Sequence, residues 1–350
     1  LRQRQAPLRR DLEIGYGVQV LRLTVEDSRR IVGEARRRFR RHNAGRRYVE
    51  AEVRAALARS ARRELDAAGA ADELRRHPEV REALEWMWPV LTPGELLNDL
   101  FGSPRLLAAA TQGLLSDAER DALARPRAGE LDLADVVWSV DDVPLLDEAR
   151  ALLGAPPRRK GQAPIDDEVR TYGHIVVDEA QDLSPMQLRM LTRRSLGGSM
   201  TIVGDIAQAT GAWAHASWDE ILEHLPDRRP PRRAELTVGY RIPAPLMEVA
   251  TRVLRQAAPE ITPPESIRQD GEPPRFLRVD GHRGGALAEA VVEAVRGELD
   301  AVGPGSVALI VPGSLTDAVA AALDAVATAP PRAPRHGLDQ QVTVVPVGLV

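Results

Sequence analysis

Apolar residues are spaced differently in the two parts of this chain. Up to about residue 155, single apolar positions recur within stretches rich in Arg, Ala and Glu, which is typical of exposed amphipathic helices. The pattern predicts helices over residues 29–41, 48–65, 74–88 and 96–101, and another short helix that begins at 141. This first part should therefore be mostly helical and irregular.

The second part alternates short apolar runs with amphipathic stretches. A linker rich in Pro and Gly is predicted over residues 154–165. Strands are then predicted over 174–177, 200–203, 235–238, 275–279, 307–311 and 342–347. Helices are predicted over 185–196, 218–224, 245–255, 285–299 and 315–326. This alternation predicts α/β domains with parallel sheets, and the Pro-rich stretch 226–233 is a plausible domain boundary.

Composition narrows the class of protein. A chain of 350 residues with 43% hydrophobic and 28% charged residues suits a soluble globular protein of two or three domains. The absence of Cys excludes disulfides and thiolate metal sites, and it favours a reducing compartment. No apolar run approaches the roughly 18 residues of a membrane span, and no signal peptide is visible. We therefore predict a cytoplasmic protein with no membrane partner.

Charge is unevenly distributed along the chain. Residues 1–66 hold 18 Arg and 9 acidic residues, a formal charge of +9, whereas the whole chain carries −4. A basic arm on an acidic body could contact nucleic acid. The alternative is a solvated helical surface that happens to be rich in Arg.

Two adjacent carboxylates end the first apolar run of the second part. The segment 172–185 reads Tyr-Gly-His-Ile-Val-Val-Asp-Glu-Ala-Gln-Asp-Leu-Ser-Pro, and its two adjacent acids are Asp178 and Glu179. Acids that directly follow a buried strand lie at the edge of a parallel sheet, where nucleotides bind. Asp178 could hold Mg²⁺ and Glu179 could activate a water, which suggests nucleoside triphosphate hydrolysis. Because neighbouring strand residues face opposite ways, the two acids should have different tasks. The alternative is a polar turn.

A helix start follows the acids. Ser184 is the predicted N-cap, Pro185 occupies the first helical position, and Gln187 completes a capping box. The carboxylates should therefore lie on a rigid strand-to-helix turn, which is a suitable place for a metal site.

Two further segments carry candidate site residues. The run 200–208 is a predicted strand that ends in a Gly-Asp turn, and its amide Gln208 could contact a γ-phosphate or orient a water. Arg241 follows the predicted strand 235–238 and could stabilise charge on a transferred phosphoryl group, or it could pair with a local acid. Trp213 could stack on an unpaired base or simply pack. His215 should be an ordinary surface or turn residue.

In this order, the three segments resemble motifs II, III and IV of UvrD/Rep-type superfamily 1 helicases. Their detailed residue sequences resemble those of the HelD-like branch. The resembling stretches are 172–190, 200–214 and 236–250, with weaker likeness at 96–104 and 142–148. The resemblance implies RecA-like P-loop NTPase domains with parallel sheets and a mainly helical insertion.

The resemblance also implies a division of the chain. Residues 1–165 would be the helical insertion of the first RecA-like domain, residues 166–234 the remainder of that domain, and residues 235–350 the start of the second.

ATP and Mg²⁺ are the ligands that the resemblance implies. Asp178 would be the Mg²⁺ ligand, Glu179 the general base, Gln208 the γ-phosphate contact and Arg241 the arginine finger. Neighbouring motif residues are predicted to help to bind the nucleotide: Gln181, Asp182, Gly204, Asp205 and Tyr240.

One expected element is missing from the sequence. There is no G-x-x-x-x-G-K-[ST] loop, and the only Lys, Lys160, has neither a preceding strand nor a following Ser or Thr. The chain starts at Leu1 and stops on an apolar run, so we interpret it as an internal fragment. We predict that the fragment alone binds ATP weakly or not at all and has no useful turnover.

Three functions remain open from the sequence. The first is an ATP-dependent translocase or helicase acting on single-stranded DNA, for which the aromatic content of 3% is low. The second is a HelD-like ATPase that displaces RNA polymerase from nucleic acid. The third is a non-catalytic nucleic-acid- or protein-binding module.

Overall fold

The computed structural model describes most of the chain. The described residues are 1–62, 67–129, 136–157, 169–209, 211, 213–226, 229–279, 284–326 and 341–347. Lys160 and residues 158–165 of the predicted linker lie outside them. The chain divides into two compact units, residues 1–234 and residues 235–350.

The first unit opens with a β-hairpin that the sequence pattern did not predict. Strand β1 (Leu12–Tyr16) pairs antiparallel with β2 (Gln19–Leu23), and Gly17 turns the chain with a φ of 56°. The hairpin buries Ile14, Leu21 and Leu23. The exposed Val18 and Val20 lie among these positions and obscure the alternation that marks a strand.

Eight helices follow the hairpin within the described part of the first unit's helical region. They are α1 (Val25–Arg38), α2 (His42–Arg59), α3 (Ala67–Arg76), α4 (Pro78–Met87), α5 (Pro93–Phe101), α6 (Pro104–Thr111), α7 (Asp117–Leu123) and α8 (Asp142–Leu153). The helix predicted over 74–88 is divided, because Pro78 starts a new helix and cannot continue the preceding one. Helices α6 and α7 are short and were not predicted.

The main core of this unit forms where α1, α2 and α4 pack on the hairpin. Trp88 is fully buried there, its ring stacks on the buried His42 at 5.1 Å between centroids, and its indole nitrogen donates to the His42 carbonyl oxygen at 2.7 Å. Asn43 exchanges two hydrogen bonds with the backbone of Leu91. These contacts join the start of α2 to the chain that follows α4.

The remainder of the first unit is α/β. Strand β3 (Ile175–Val177) lies parallel to β4 (Met200–Ile202), and each is followed by a helix, α9 (Pro185–Arg194) and α10 (Trp218–Glu223). The predicted capping box at the start of α9 is confirmed, since Ser184 accepts from the backbone of Gln187 and Gln187 accepts from that of Ser184.

The second unit contains two more parallel pairs. Its elements are β5 (Val238–Gly239), α11 (Ala244–Ala257), β6 (Glu265–Ser266), α12 (Gly284–Val302), β7 (Val307–Val311), α13 (Thr316–Val326) and β8 (Val342–Pro346). Strand β5 pairs with β6, and β7 with β8. Mixed α/β structure with small parallel sheets is thus confirmed.

The strand predicted over residues 275–279 is wrong, and the strand predicted over 235–238 is reduced to Val238–Gly239. Phe276 and Leu277 are largely exposed, and Pro273 and Pro274 before them lack the backbone donors that a ladder needs. No helix in the described part of the chain is both long and apolar enough to cross a membrane.

Candidate functional site

The ends of β3 and β4 bring two of the predicted segments together. The strands are in parallel register, with Val177 opposite Ile202. Two backbone hydrogen bonds extend the pairing beyond the strands, from Val203 N to the Val177 oxygen at 2.8 Å and from Ala180 N to the Val203 oxygen at 3.1 Å. The acidic turn after β3 therefore lies directly beside the Gly-Asp turn after β4.

The acids lie in a turn rather than on the strand. Strand β3 ends at Val177, and Glu179 adopts the left-handed conformation with φ 51° and ψ 42°. Among the described residues it is the only non-glycine residue with a positive φ. Such a conformation costs about 1–3 kcal/mol and persists only where neighbouring contacts enforce it. The prediction that strand alternation separates the two acids is wrong, because the backbone turn at Glu179 sets its direction.

Both carboxylates are exposed. Asp178 Oδ1 accepts from the backbone N–H of Glu179 at 3.0 Å. The other Asp178 oxygen has no partner among the residues that the structure describes, and neither does Glu179 Oε1. One oxygen of each acid is thus fixed by the protein and one is available.

The side chain of Gln181 links the acidic turn to the turn after β4. Its Nε2 donates to Glu179 Oε2 at 2.7 Å, and its Oε1 accepts from the backbone N–H of Asp205 at 3.0 Å. Gln181 is only 1% exposed, whereas Glu179 and Asp182 on either side of it are exposed. Both the nitrogen and the oxygen of this amide are therefore hydrogen-bonded to protein groups.

Gly204 provides the space that Gln181 needs. A Cβ at this position would lie well inside contact distance of Gln181 Oε1 and 3.1 Å from the backbone nitrogen of Ala180. The Ala180 backbone leaves little room on one side, so a Cβ would push the Gln181 amide away from its present position. Glycine thus allows the two turns to approach closely with the amide between them.

Asp205 and Gln208 complete the second turn. Asp205 Oδ1 accepts from the backbone of Ala207 at 3.0 Å, and its Oδ2 accepts from Gln208 Nε2 at 2.8 Å. Both side chains are exposed. A continuous series of hydrogen bonds thus runs from the Glu179 carboxylate through Gln181 and Asp205 to the amide of Gln208.

Helix α9, which starts directly after the acidic turn, is held by ion pairs to α8. Arg193 Nε and Arg194 Nη2 donate to the two oxygens of Asp147 at 2.6 and 2.7 Å, and Arg193 Nη1 also reaches Glu148 at 2.5 Å. Burial alone would raise the pKa of Asp147, but the hydrogen bonds from the two guanidinium groups hold it below its usual value. Sequence reasoning did not find this clamp, although Asp147 and Glu148 lie in a stretch of weak family likeness.

Trp213 and His215, which follow the second turn in the chain, differ in their exposure to solvent. Trp213 is 56% exposed, so its ring is not a core residue. His215 was expected on the surface, but it is buried and its Nε2 lies 2.9 Å from the carbonyl oxygen of Leu183. It braces the chain just before α9.

Tyr240 and Arg241 belong to the second unit. Both are exposed, and the Arg241 guanidinium carbon lies 5.6 Å from the centroid of the Tyr240 ring. Arg241 forms no ion pair with any residue that the structure describes, so the proposed local acid partner is not found there. The backbone oxygen of Arg241 accepts from Arg268 at 3.1 Å.

The donor set at the acidic turn is compatible with Mg²⁺. The described residues contain no group of three or more His, Cys, Asp or Glu side chains that could enclose a metal ion. Mg²⁺ does not require one, because it commonly takes one or two carboxylates together with phosphate oxygens and waters. Asp178, exposed at the sheet edge with one available oxygen, fits that requirement.

Just over half of the chain matches the model of a known protein family. Residues 53–228 match the UvrD/REP helicase N-terminal domain, a range that includes β3, β4 and both turns of the site. No curated protein matches the sequence. On this match, the chain belongs to the UvrD/REP helicase family.

Proposed function

We propose that this chain provides the ATP-hydrolysing site of a cytoplasmic helicase that moves along single-stranded DNA. The observation that carries the proposal is the adjacency of the turns after β3 and β4, joined by the hydrogen bonds of Gln181. Family membership supports ATP as the substrate class. In this proposal residues 1–165 are a helical insertion, 166–234 complete a first RecA-like domain and 235–350 begin a second.

Asp178 is the proposed Mg²⁺ ligand. When bound, Mg²⁺ neutralises charge on the phosphate oxygens and orients them for in-line attack. The protein's part is to present one carboxylate oxygen at the strand tip, which the hydrogen bond from the Glu179 backbone to the other oxygen achieves.

Glu179 is the proposed general base. Its Oε2 is held by Gln181, and its Oε1 is available to accept a proton from an attacking water. A positioned carboxylate of this kind typically contributes about 10²–10⁴-fold in rate.

Gln208 is the proposed contact to the γ-phosphate. An amide nitrogen has two hydrogens, and Asp205 accepts only one of them. Gly204, Asp205 and Asp182 would shape this edge of the site. Arg241 is the proposed arginine finger, and its exposed guanidinium beside Tyr240 is unpaired among the described residues.

The proposed DNA contacts are Trp213 and the basic residues near the start of the chain. Trp213, which follows the second turn in the chain, is 56% exposed, so an unpaired base could stack on its ring. Stacking of this kind contributes about 1–3 kcal/mol per base.

A second candidate keeps the same chemistry but changes the target. In a HelD-like protein the helical part would engage RNA polymerase, and hydrolysis would release the polymerase from nucleic acid. The α8–α9 ion pairs favour this candidate, because they connect the helical part directly to the helix that starts at the acidic turn. A third candidate, a non-catalytic binding module, predicts no hydrolysis at all.

The test is ATP hydrolysis by the full-length protein. Steady-state rates are measured alone, with single-stranded DNA and with RNA polymerase, for the wild type and Asp178→Asn. The proposal expects DNA to stimulate hydrolysis at least about tenfold, and Asp178→Asn to abolish it. Stimulation by polymerase but not by DNA would support the HelD-like candidate. No hydrolysis under any condition would refute both.

A further inference from the structure

The burial of Gln181 separates it from the other polar residues of the acidic turn. It is 1% exposed, and both ends of its amide are committed to protein groups. A buried amide that lost either partner would carry a desolvation cost, so these bonds are not readily exchanged for contacts with a ligand. Gln181 is therefore poorly placed to touch a nucleotide at the exposed sheet edge.

Its two bonds have different consequences. The bond to Glu179 Oε2 holds one oxygen of that carboxylate and so restricts where the other can lie. The bond from the Asp205 backbone fixes the turn on which Gln208 stands. The amide thus joins the two turns in addition to the backbone hydrogen bonds of Ala180 and Val203.

Gly204 is part of the same arrangement. Because a Cβ there would collide with Gln181 Oε1, a larger residue would displace the amide from the position in which it joins the two turns. Two segments more than twenty residues apart in the chain thus carry matched requirements, a glutamine in the first and a glycine in the second.

We propose that Gln181 is a positioning residue that aligns the general base Glu179 with the Asp205–Gln208 turn. The inference rests on the proposed ATP hydrolysis and adds to it a residue that acts without touching the substrate. It assigns Gln181 to the rate of the chemical step rather than to the affinity for ATP.

The test uses three variants of the full-length protein. Gln181→Glu keeps the acceptor for Asp205 but replaces the donor to Glu179 by a second carboxylate oxygen. Gly204→Ala leaves both side chains intact and displaces the amide. Gln187→Glu is the matched control, because it adds the same charge nearby while Glu keeps the capping bond to Ser184.

DNA-stimulated kcat and KM for ATP are measured for each variant. For Gln181→Glu we expect kcat to fall roughly 10–100-fold with KM within about threefold. Gly204→Ala should lower kcat similarly, again with little change in KM. Gln187→Glu should match the wild type in both.

Three results would overturn the inference. They are a wild-type kcat in Gln181→Glu, a large rise in KM with kcat unchanged in that variant, and a Gly204→Ala enzyme of normal rate. The last applies even if Gln181→Glu fails to fold. An inactive wild-type protein would instead refute the proposed function itself, and the role of Gln181 with it.

Discussion

At the residue scale, a few buried polar side chains hold backbone segments together. Gln181 joins the two turns of the site, and His42 joins the start of α2 to residues near Trp88. Each side chain is buried, so a change in its protonation or in its hydrogen bonds should destabilise the folded protein. His42 lies 2.6 Å from the Pro89 oxygen through Nε2 and 2.9 Å from the Gln5 amide nitrogen through Nδ1, which fits a neutral ring that donates from Nε2.

Protonation of His42 should destabilise the first unit. Burial is the main cause that lowers its pKa from 6.5; the Pro89 carbonyl opposes this, and the positive N-terminus, Arg4 and Arg46 add to it. Because the folded pKa is the lower one, stability is fully present above about pH 6.5 and is lost as the pH falls below it. Thermal unfolding at pH 7.5 and 5.5 measures this. Replacement of the exposed His174 by Gln should leave the pH dependence unchanged, and His42→Gln should reduce it.

At the element scale, the sequence predicted those helices and strands whose characteristic residues, such as a cap or an apolar run, all lie within the element itself. The capping box of α9 and the apolar runs of β3, β4 and β7 were found because cap and burial are encoded in a few adjacent residues. The β1–β2 hairpin was missed and residues 275–279 were wrongly predicted as a strand, because strand formation depends on a partner elsewhere in the chain.

The same limit applies to the site. Asp178, Glu179 and Gln208 were found as polar residues at strand ends. The left-handed turn at Glu179 and the burial of Gln181 were not, because both arise from contacts with the neighbouring strand end. The α8–α9 clamp likewise joins residues more than forty positions apart.

The clamp yields a prediction about stability. Asp147→Asn should lower the free energy of unfolding by about 2–4 kcal/mol, since the half-buried Arg194 loses its charge partner and Arg193 keeps only Glu148. Arg189→Ala is the control; Arg189 is largely exposed, and its pair with Glu148 should contribute no more than about 1 kcal/mol. Urea unfolding of both variants measures the difference. Equal changes in the free energy of unfolding would show that the ion pairs of Asp147 stabilise the protein no more than the pair of Arg189 does.

At the scale of the whole molecule, the two units differ in how much apolar surface they bury. Most of the buried apolar residues among those described belong to residues 1–234. In the second unit the described ones are Val292, Val295, Val311 and Val319. Because apolar burial is the main stabilising contribution, the second unit should be the less stable of the two.

Hydrogen exchange measures this directly. Backbone amides of β7 and α12 should exchange faster than those of α2 and β2 in the first unit, which line its fully buried core. If the strands and helices of both units exchanged at the same slow rate, the chain would unfold as one cooperative body and this prediction would be wrong.

The most direct test of the account is the substitution Glu179→Gln in the full-length protein. Glutamine keeps the shape and can still accept the hydrogen bond from Gln181, but it cannot take a proton from water. ATP hydrolysis is measured in a single turnover beside ATP affinity, with the exposed Glu223→Gln as control. The account predicts hydrolysis about 10²–10⁴-fold slower with affinity within threefold, and a control like the wild type. Hydrolysis by Glu179→Gln at the wild-type rate would contradict it.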